Sequence, residues 1–261
     1  MALPSFAAIR NETLMPIRAV VPPHSNGYCK ANNGVCPSGF LPLLRIWDEI
    51  NRTSPVRMSG YAQNVGANDG VADDPLYPLI KHRGINALAI ESDPALFAKL
   101  QNNMKAFRGV VPMRAAIAPS NATKVLARHS GSNTVDVLKI DIDGCECHIL
   151  ERLLASRWWY RPKIIQIELN HILPPPVAYK DMCANDAPGR SAVPYESNLD
   201  VWGCSMQAAY DIVRPHGYRL LQYDWPDAVF IHEVHVAAFP FVPWLEPEDF
   251  LAAYWHGRAW A

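Results

Sequence analysis

The sequence predicts an α/β fold, doubly wound around a mostly parallel sheet. Three observations carry that prediction. Short apolar strand-like runs alternate with helical segments between residues 60 and 170. Two of these runs, VDVLKIDID and KIIQIELN, are nearly continuous in apolar residues, as strands buried on both faces are. The first run ends in a glycine turn, NVGANDG, at the kind of place where open α/β sheets hold a ligand.

The elements follow in order. Residues 1–40 are rich in Pro, Asn and Gly and have no period, so they read as an extended segment. In FLPLLRIWDEINRT, residues Leu41, Leu44, Ile46, Trp47 and Ile50 share one helical face. We take 1–53 as an N-terminal extension and helix that pack on a core domain at 54–261. Strand one covers 60–66, and a helix over 74–83 closes at Gly84. Strand two covers 86–92. A helix over 94–107 then starts with Pro94 at its first position. Strand three lies at 110–117, and 119–133 is polar and turn-like. Strand four covers 135–143, a helix 145–156, and strand five 163–170. An irregular stretch at 171–203 is long enough to be a functional, substrate-side loop. Ser205 N-caps another helix. A hairpin of 218–224 and 228–239 follows, then a short terminal helix.

Composition narrows the function classes. The chain has 261 residues, of which 49% are hydrophobic and 19% charged, so it can bury a sizeable core. Net charge is −1 with no basic stripe, so no nucleic-acid partner is expected. No apolar run reaches the roughly 18 residues of a membrane span. The N-terminus lacks the basic start and apolar run of a signal peptide. A cytoplasmic protein with reduced cysteines is therefore expected. Cys29 and Cys36 bracket a loop that could close in an oxidising compartment, and sequons at Asn11, Asn51 and Asn121 keep the secretory alternative open. Cys145-Glu146-Cys147 has the wrong spacing for a CxxC redox or zinc site.

Three motifs carry chemistry. In the turn at 64–70, Gly66 and Gly70 are four residues apart with Asn68 between them. That spacing does not match G-x-G-x-x-G, which weakens the case for a dinucleotide or nucleotide-sugar enzyme. A cofactor with a ribose and an amino-acid moiety, and no phosphate, fits better. Glu91 ends strand two, where it either accepts hydrogen bonds from ribose hydroxyls or helps to cap the next helix. In LKIDIDGCECHILERLL, Asp141 ends strand four beside the cleft, while Asp143 and Glu146 have capping-box spacing.

Taken together, these motifs resemble the FkbM-type family of S-adenosyl-L-methionine-dependent methyltransferases. The resemblance rests on NVGANDG, AIESDPALFAKLQNN, VDVLKIDIDGCECHIL and IIQIELN, and it covers roughly residues 60 to 170. It implies a seven-stranded, Rossmann-like methyltransferase sheet with an antiparallel last strand. It implies that Asn64, Gly66, Asn68 and Gly70 form the cofactor loop and that Glu91 holds the ribose. It also implies that Asp141 lies where cofactor and acceptor meet. Two residues depart from the family pattern: Asn64 replaces an acid and Asp143 replaces a Glu.

The expected reaction is in-line methyl transfer, as O-methylation of a small-molecule or sugar acceptor. Asp141, Glu168 and His171 are the candidate bases and catalytic residues. Asp141 with Glu168, Asn170 or His171 is also the donor set a divalent metal would use, though a metal is not favoured. His232-Glu233-x-His235 lacks helical zinc spacing, and on a strand its rings face opposite ways. Without an acid at position 64, the alternative is a non-catalytic methyltransferase-like protein that binds a glycan or a protein partner.

Overall fold

The structure is a computed structural model that describes residues 41–127, 129, 134–156, 160–170, 172–183, 203–224, 226–240 and 250. The expected N-terminal segment, the terminal helix, most of the 171–203 loop, and Cys29, Cys36 and His171 lie outside these residues.

The chain enters as α1 (Leu43–Thr53), then runs β1 (Tyr61–Val65), α2 (Tyr77–Arg83), β2 (Asn86–Glu91), α3 (Pro94–Met104) and β3 (Val110–Arg114). Next come α4 (Pro119–Ala122), continued by a π-helical turn at Thr123–Ala127, and β4 (Val137–Ile140), α5 (Glu146–Ser156) and β5 (Ile164–Glu168). The second half of the sheet is α6 (Met206–Val213), β6 (Tyr218–Asp224) and β7 (Asp227–His232), with a 3₁₀ turn at Glu233–Ala238. The seven strands lie in the order β3-β2-β1-β4-β5-β7-β6. β1 to β5 pair in parallel, and β7 pairs antiparallel with both β5 and β6. This is the doubly wound sheet with an antiparallel last strand.

Sequence dictates the element ends. Asp93 caps α3 by accepting the N–H groups of Ala95 and Leu96, and Pro94 follows at the first position. Ser205 caps α6 by accepting from Ala208. Gly84 ends α2 in the left-handed conformation at φ 63°. Strand alternation then splits the core between the two faces of the sheet. Leu88, Ile90, Leu138, Ile140, Ile165, Ile167 and Phe230 face α5 and α6. Ala87, Ala89, Val137, Ile164, Val229 and Ile231 face α1, α2 and α3. At about 25 cal/mol per Å² of apolar surface, the two clusters are the main favourable term in folding.

Three expectations need correction. Residues 119–127 are helical where a polar turn was expected, because Asn121 caps locally by accepting from Ala118 N–H at 2.9 Å. The last strand stops at His232, seven residues short of the expected end. There the His232 side chain accepts from Val234 N–H and starts a 3₁₀ turn. His235 therefore does not sit on a strand. It is buried with Nδ1 2.8 Å from Ser54 Oγ, which joins the turn to the end of α1. Burial pushes its pKa down to about 4, so the ring is neutral at ordinary pH.

The third correction concerns the cysteines. Cys145 is bonded to Cys183, and Cys147 to Cys204. None of the four is a reduced thiol. The spacing that rules out CxxC chemistry instead sends the two sulfurs from the start of α5 to Cys183, within the long loop, and to Cys204, just after it. Among the described residues no helix is long and apolar enough to cross a membrane.

Candidate functional site

The site is built on the carboxyl ends of β1, β2 and β4. The glycine turn begins where Gly66 and Ala67 donate their N–H groups to Ile90 O, at 3.0 and 2.9 Å. Gly66 sits at φ +77°, and a Cβ placed there would lie 1.7 Å from the Asp141 carbonyl oxygen. Only glycine lets the tips of β1 and β4 come this close. Gly70 has a different task. A Cβ there would meet Leu100 Cδ1 at 2.5 Å and Met104 Cε at 2.9 Å, so Gly70 seats the turn on α3 and does not face the cleft.

Glu91 ends β2 and holds the turn from the other side. Its Oε2 accepts Asn68 N–H at 2.9 Å and its Oε1 accepts Asp93 N–H at 2.8 Å. Asn68 has φ 51°, a left-handed conformation that asparagine tolerates. The contacts seen are those of the turn and the helix start. One oxygen organises the approach to α3 and the other the turn, and each keeps a lone pair for a ligand hydroxyl.

These pieces wall a cleft of about 660 Å³. Gly66, Asn68, Glu91, Asp141 and Asp143 line it, together with Lys139 and Asp74. Lys139 is buried on β4. Its Nζ donates to Gly66 O at 2.7 Å and lies 2.9 Å from Asp141 Oδ2. Burial works against its charge, but Asp141 and Asp74 outweigh that and hold the lysine pKa above its usual value. Asp141 is 40% exposed and looks into the cleft.

Glu168 ends β5 near Asp141. Burial, and then the Asp141 charge, push its carboxyl up to about 10, so it keeps its proton at neutral pH. Glu146 opens α5. Its Oε1 takes Gly144 N–H at 2.6 Å and Ile142 N–H at 3.2 Å, which makes it the group that folds back over the helix start. Burial pushes its pKa up to about 7. Asp143 is exposed and left-handed at φ 59°.

Asn64 is buried behind the cleft wall, 1% exposed. Its Nδ2 donates to Asp74 Oδ2 at 2.7 Å. Asp74 was not singled out from the sequence. The signal was the Asp-Asp-Pro step before α2, where an acid accepts the N–H of Leu76 at 2.9 Å in a local turn. Among the described residues no group of three or more His, Cys, Asp or Glu side chains is arranged to hold a metal ion.

Residues 122–183, which span β4, α5 and β5, match the family model described as Methyltransferase FkbM domain. Over these residues the chain is similar to FkbM-type methyltransferases. No curated protein matches the sequence of this chain. Its fold is similar to that of a precorrin-6y C5,15-methyltransferase from Geobacter metallireducens, at 12% identity over 67% of this chain and 71% of that one, with a TM-score of 0.37. A fibrillarin from Aeropyrum pernix, in complex with natively bound S-adenosyl-L-methionine, is 12% identical over 70% of this chain and 75% of its own, with a TM-score of 0.39. A B. subtilis tRNA methyltransferase is 12% identical over 82% and 75% of the two chains, with a TM-score of 0.42.

Proposed function

We propose that this protein is an S-adenosyl-L-methionine-dependent methyltransferase that methylates an oxygen of a small molecule or sugar, with Asp141 as the group that meets the acceptor. The observation behind this is the position of Asp141. Of the three candidate bases it alone both lies among the described residues and lines the cleft, where it is 40% exposed.

The residues fit the cofactor. Gly66 lines the cleft at the tip of β1, and Glu91 offers acceptors at the tip of β2. When bound, the cofactor supplies a methyl group on an activated sulfonium. In this reading Glu91 accepts from the ribose hydroxyls. Gly66 and Asn68 lie along the amino-acid part. Asn64 and Gly70 shape the turn from behind. Asp141 accepts the hydrogen bond of an acceptor hydroxyl and takes its proton as the new bond forms. Glu168 is a positioning residue, because its held proton fixes the orientation of the Asp141 carboxylate. Alignment of this kind can supply about 7–11 kcal/mol of a barrier. The near-neutral net charge supports a small acceptor over a nucleic acid. The two disulfides favour an oxidising compartment over the cytosol.

Transfer of a labelled methyl group from the cofactor to a panel of hydroxylated small molecules and sugars, read by mass spectrometry, tests the reading. A product carrying the label on oxygen, lost in Asp141→Asn, supports it. Label on nitrogen, or no labelled product from any acceptor in the panel, would overturn it.

A further inference from the structure

The cleft has many acids, and most are committed. Asp141 is paired with Lys139 at 2.9 Å. Glu91 holds two backbone N–H groups of the turn. Asp93 caps α3 through Oδ1. Asp74 differs from these. It lines the cleft but is only 5% exposed, and its neighbours leave acceptor capacity over. Its Oδ2 takes one hydrogen bond from Asn64 and its Oδ1 one from Leu76 N–H. A carboxylate has about four acceptor positions, so about two remain. Beside it, the buried Asn64 Oδ1 has no hydrogen-bond partner. The Asn64–Asp74 pair thus presents acceptors that lack donors, behind the turn that begins at Gly66.

An amino-acid moiety in this cleft brings such a donor, an ammonium with three N–H groups. We propose that Asp74, ten residues beyond the strand end, is the acid that receives the α-ammonium of the cofactor. This rests on the cofactor reading above. It also accounts for Asn64. An acid at position 64 would put a second carboxylate 2.7 Å from Asp74 Oδ2, with no proton between them. An amide there donates instead, and leaves the negative charge on Asp74. The departure at position 64 therefore moves the acid and does not remove it.

The test is calorimetry with two ligands, S-adenosylhomocysteine and 5′-methylthioadenosine. Only the first carries the amino acid. Four proteins are compared: the parent, Asp74→Asn, Asn64→Asp, and the double variant with both changes. In Asp74→Asn, affinity for S-adenosylhomocysteine should fall tenfold or more, about 1.4 kcal/mol, while affinity for 5′-methylthioadenosine stays within twofold. Asn64→Asp should weaken S-adenosylhomocysteine binding too, by setting two acids against each other. The double variant restores one acid and one amide, and should recover most of the lost affinity. An equal loss for both ligands in Asp74→Asn, or no loss for either, would overturn the proposal. A parent protein that binds neither ligand would overturn the cofactor reading beneath it, and the proposal with it.

Discussion

Lys139 bridges two strand tips: its Nζ donates to the Gly66 carbonyl at 2.7 Å and pairs with the Asp141 carboxylate at 2.9 Å. A single buried cation thus ties the glycine turn to the residue proposed to meet the acceptor. Lys139→Met keeps the volume and removes both links. Asp141 is 40% exposed, so water can replace that partner and the pair itself adds little. The Gly66 carbonyl loses its donor in a confined place, which should cost about 1–3 kcal/mol. Urea unfolding should show a lower midpoint with an unchanged slope. An unchanged midpoint would mean that the turn does not depend on Lys139.

The Glu168 carboxyl, pushed up to about 10 by burial and by Asp141, links folding to pH. Its unfolded pKa is about 4.3, so the folded state binds the extra proton between the two values. The stabilising contribution is full below the unfolded pKa and is lost as pH rises towards the folded one. One proton gives at most about 1.4 kcal/mol per pH unit. Glu146, at about 7, adds the same sign over the lower part of that window. His235, lowered to about 4, acts with the opposite sign below its ordinary value, so stability of the parent should fall as pH rises above neutral, and Glu168→Gln should flatten that part. Denaturant titrations at three pH values read the slope directly. A variant whose slope above neutral matches the parent would show that Glu168 does not hold this proton.

Much of the fold was legible because it rests on local rules. The runs that became β4 and β5 are apolar on both sides, and they lie in the middle of the sheet. Pro94 and Gly84 mark helix ends wherever they occur. Gly66, Asn68, Glu91 and Asp141 were legible as a set because each ends a strand or follows one, and such positions converge at one edge of the sheet. Other features depend on contacts between residues far apart in the chain. Cys145 and Cys147 find partners 38 and 57 residues away, and no spacing rule names them. The end of β7 is set by a capping side chain and by packing of His235 on Ser54, 181 residues earlier. Asp74 became visible only through the hydrogen bond that Asn64 donates to it.

Glu91 is the hinge between turn and sheet. In Glu91→Ala, the Asn68 and Asp93 N–H groups lose their acceptor. Asn68 is already left-handed at φ 51°, so the turn has reason to relax once released. Any ribose contact is lost as well. Affinity for S-adenosylhomocysteine should drop by at least tenfold, and 5′-methylthioadenosine, which also carries the ribose, should lose a similar factor. This contrasts with the Asp74 variant, which should spare the second ligand. Calorimetry with both ligands separates the two roles, and a Glu91→Ala protein that keeps its affinity for 5′-methylthioadenosine would remove Glu91 from the ribose end.

The disulfides join the start of α5 to Cys183, within the long loop, and to Cys204, just after it. Their closed loops of 38 and 57 residues would each restrict the unfolded chain by about 4 kcal/mol at most, and the overlap of the loops makes the sum smaller. A combined loss of about 3 kcal/mol on reduction corresponds to a fall of about 6–12 °C in the midpoint for a domain of this size. Both bonds lie on the β5 side of the site, away from the Gly66–Glu91 half of the cleft. Reduction should therefore lower thermal stability while leaving S-adenosylhomocysteine affinity within about twofold at temperatures well below the midpoint. Scanning calorimetry with and without dithiothreitol, paired with binding at low temperature, checks both halves. A midpoint that ignores the reductant would show that the bonds contribute nothing to stability. A collapse of binding before unfolding would show that the two sides of the sheet are coupled through α5.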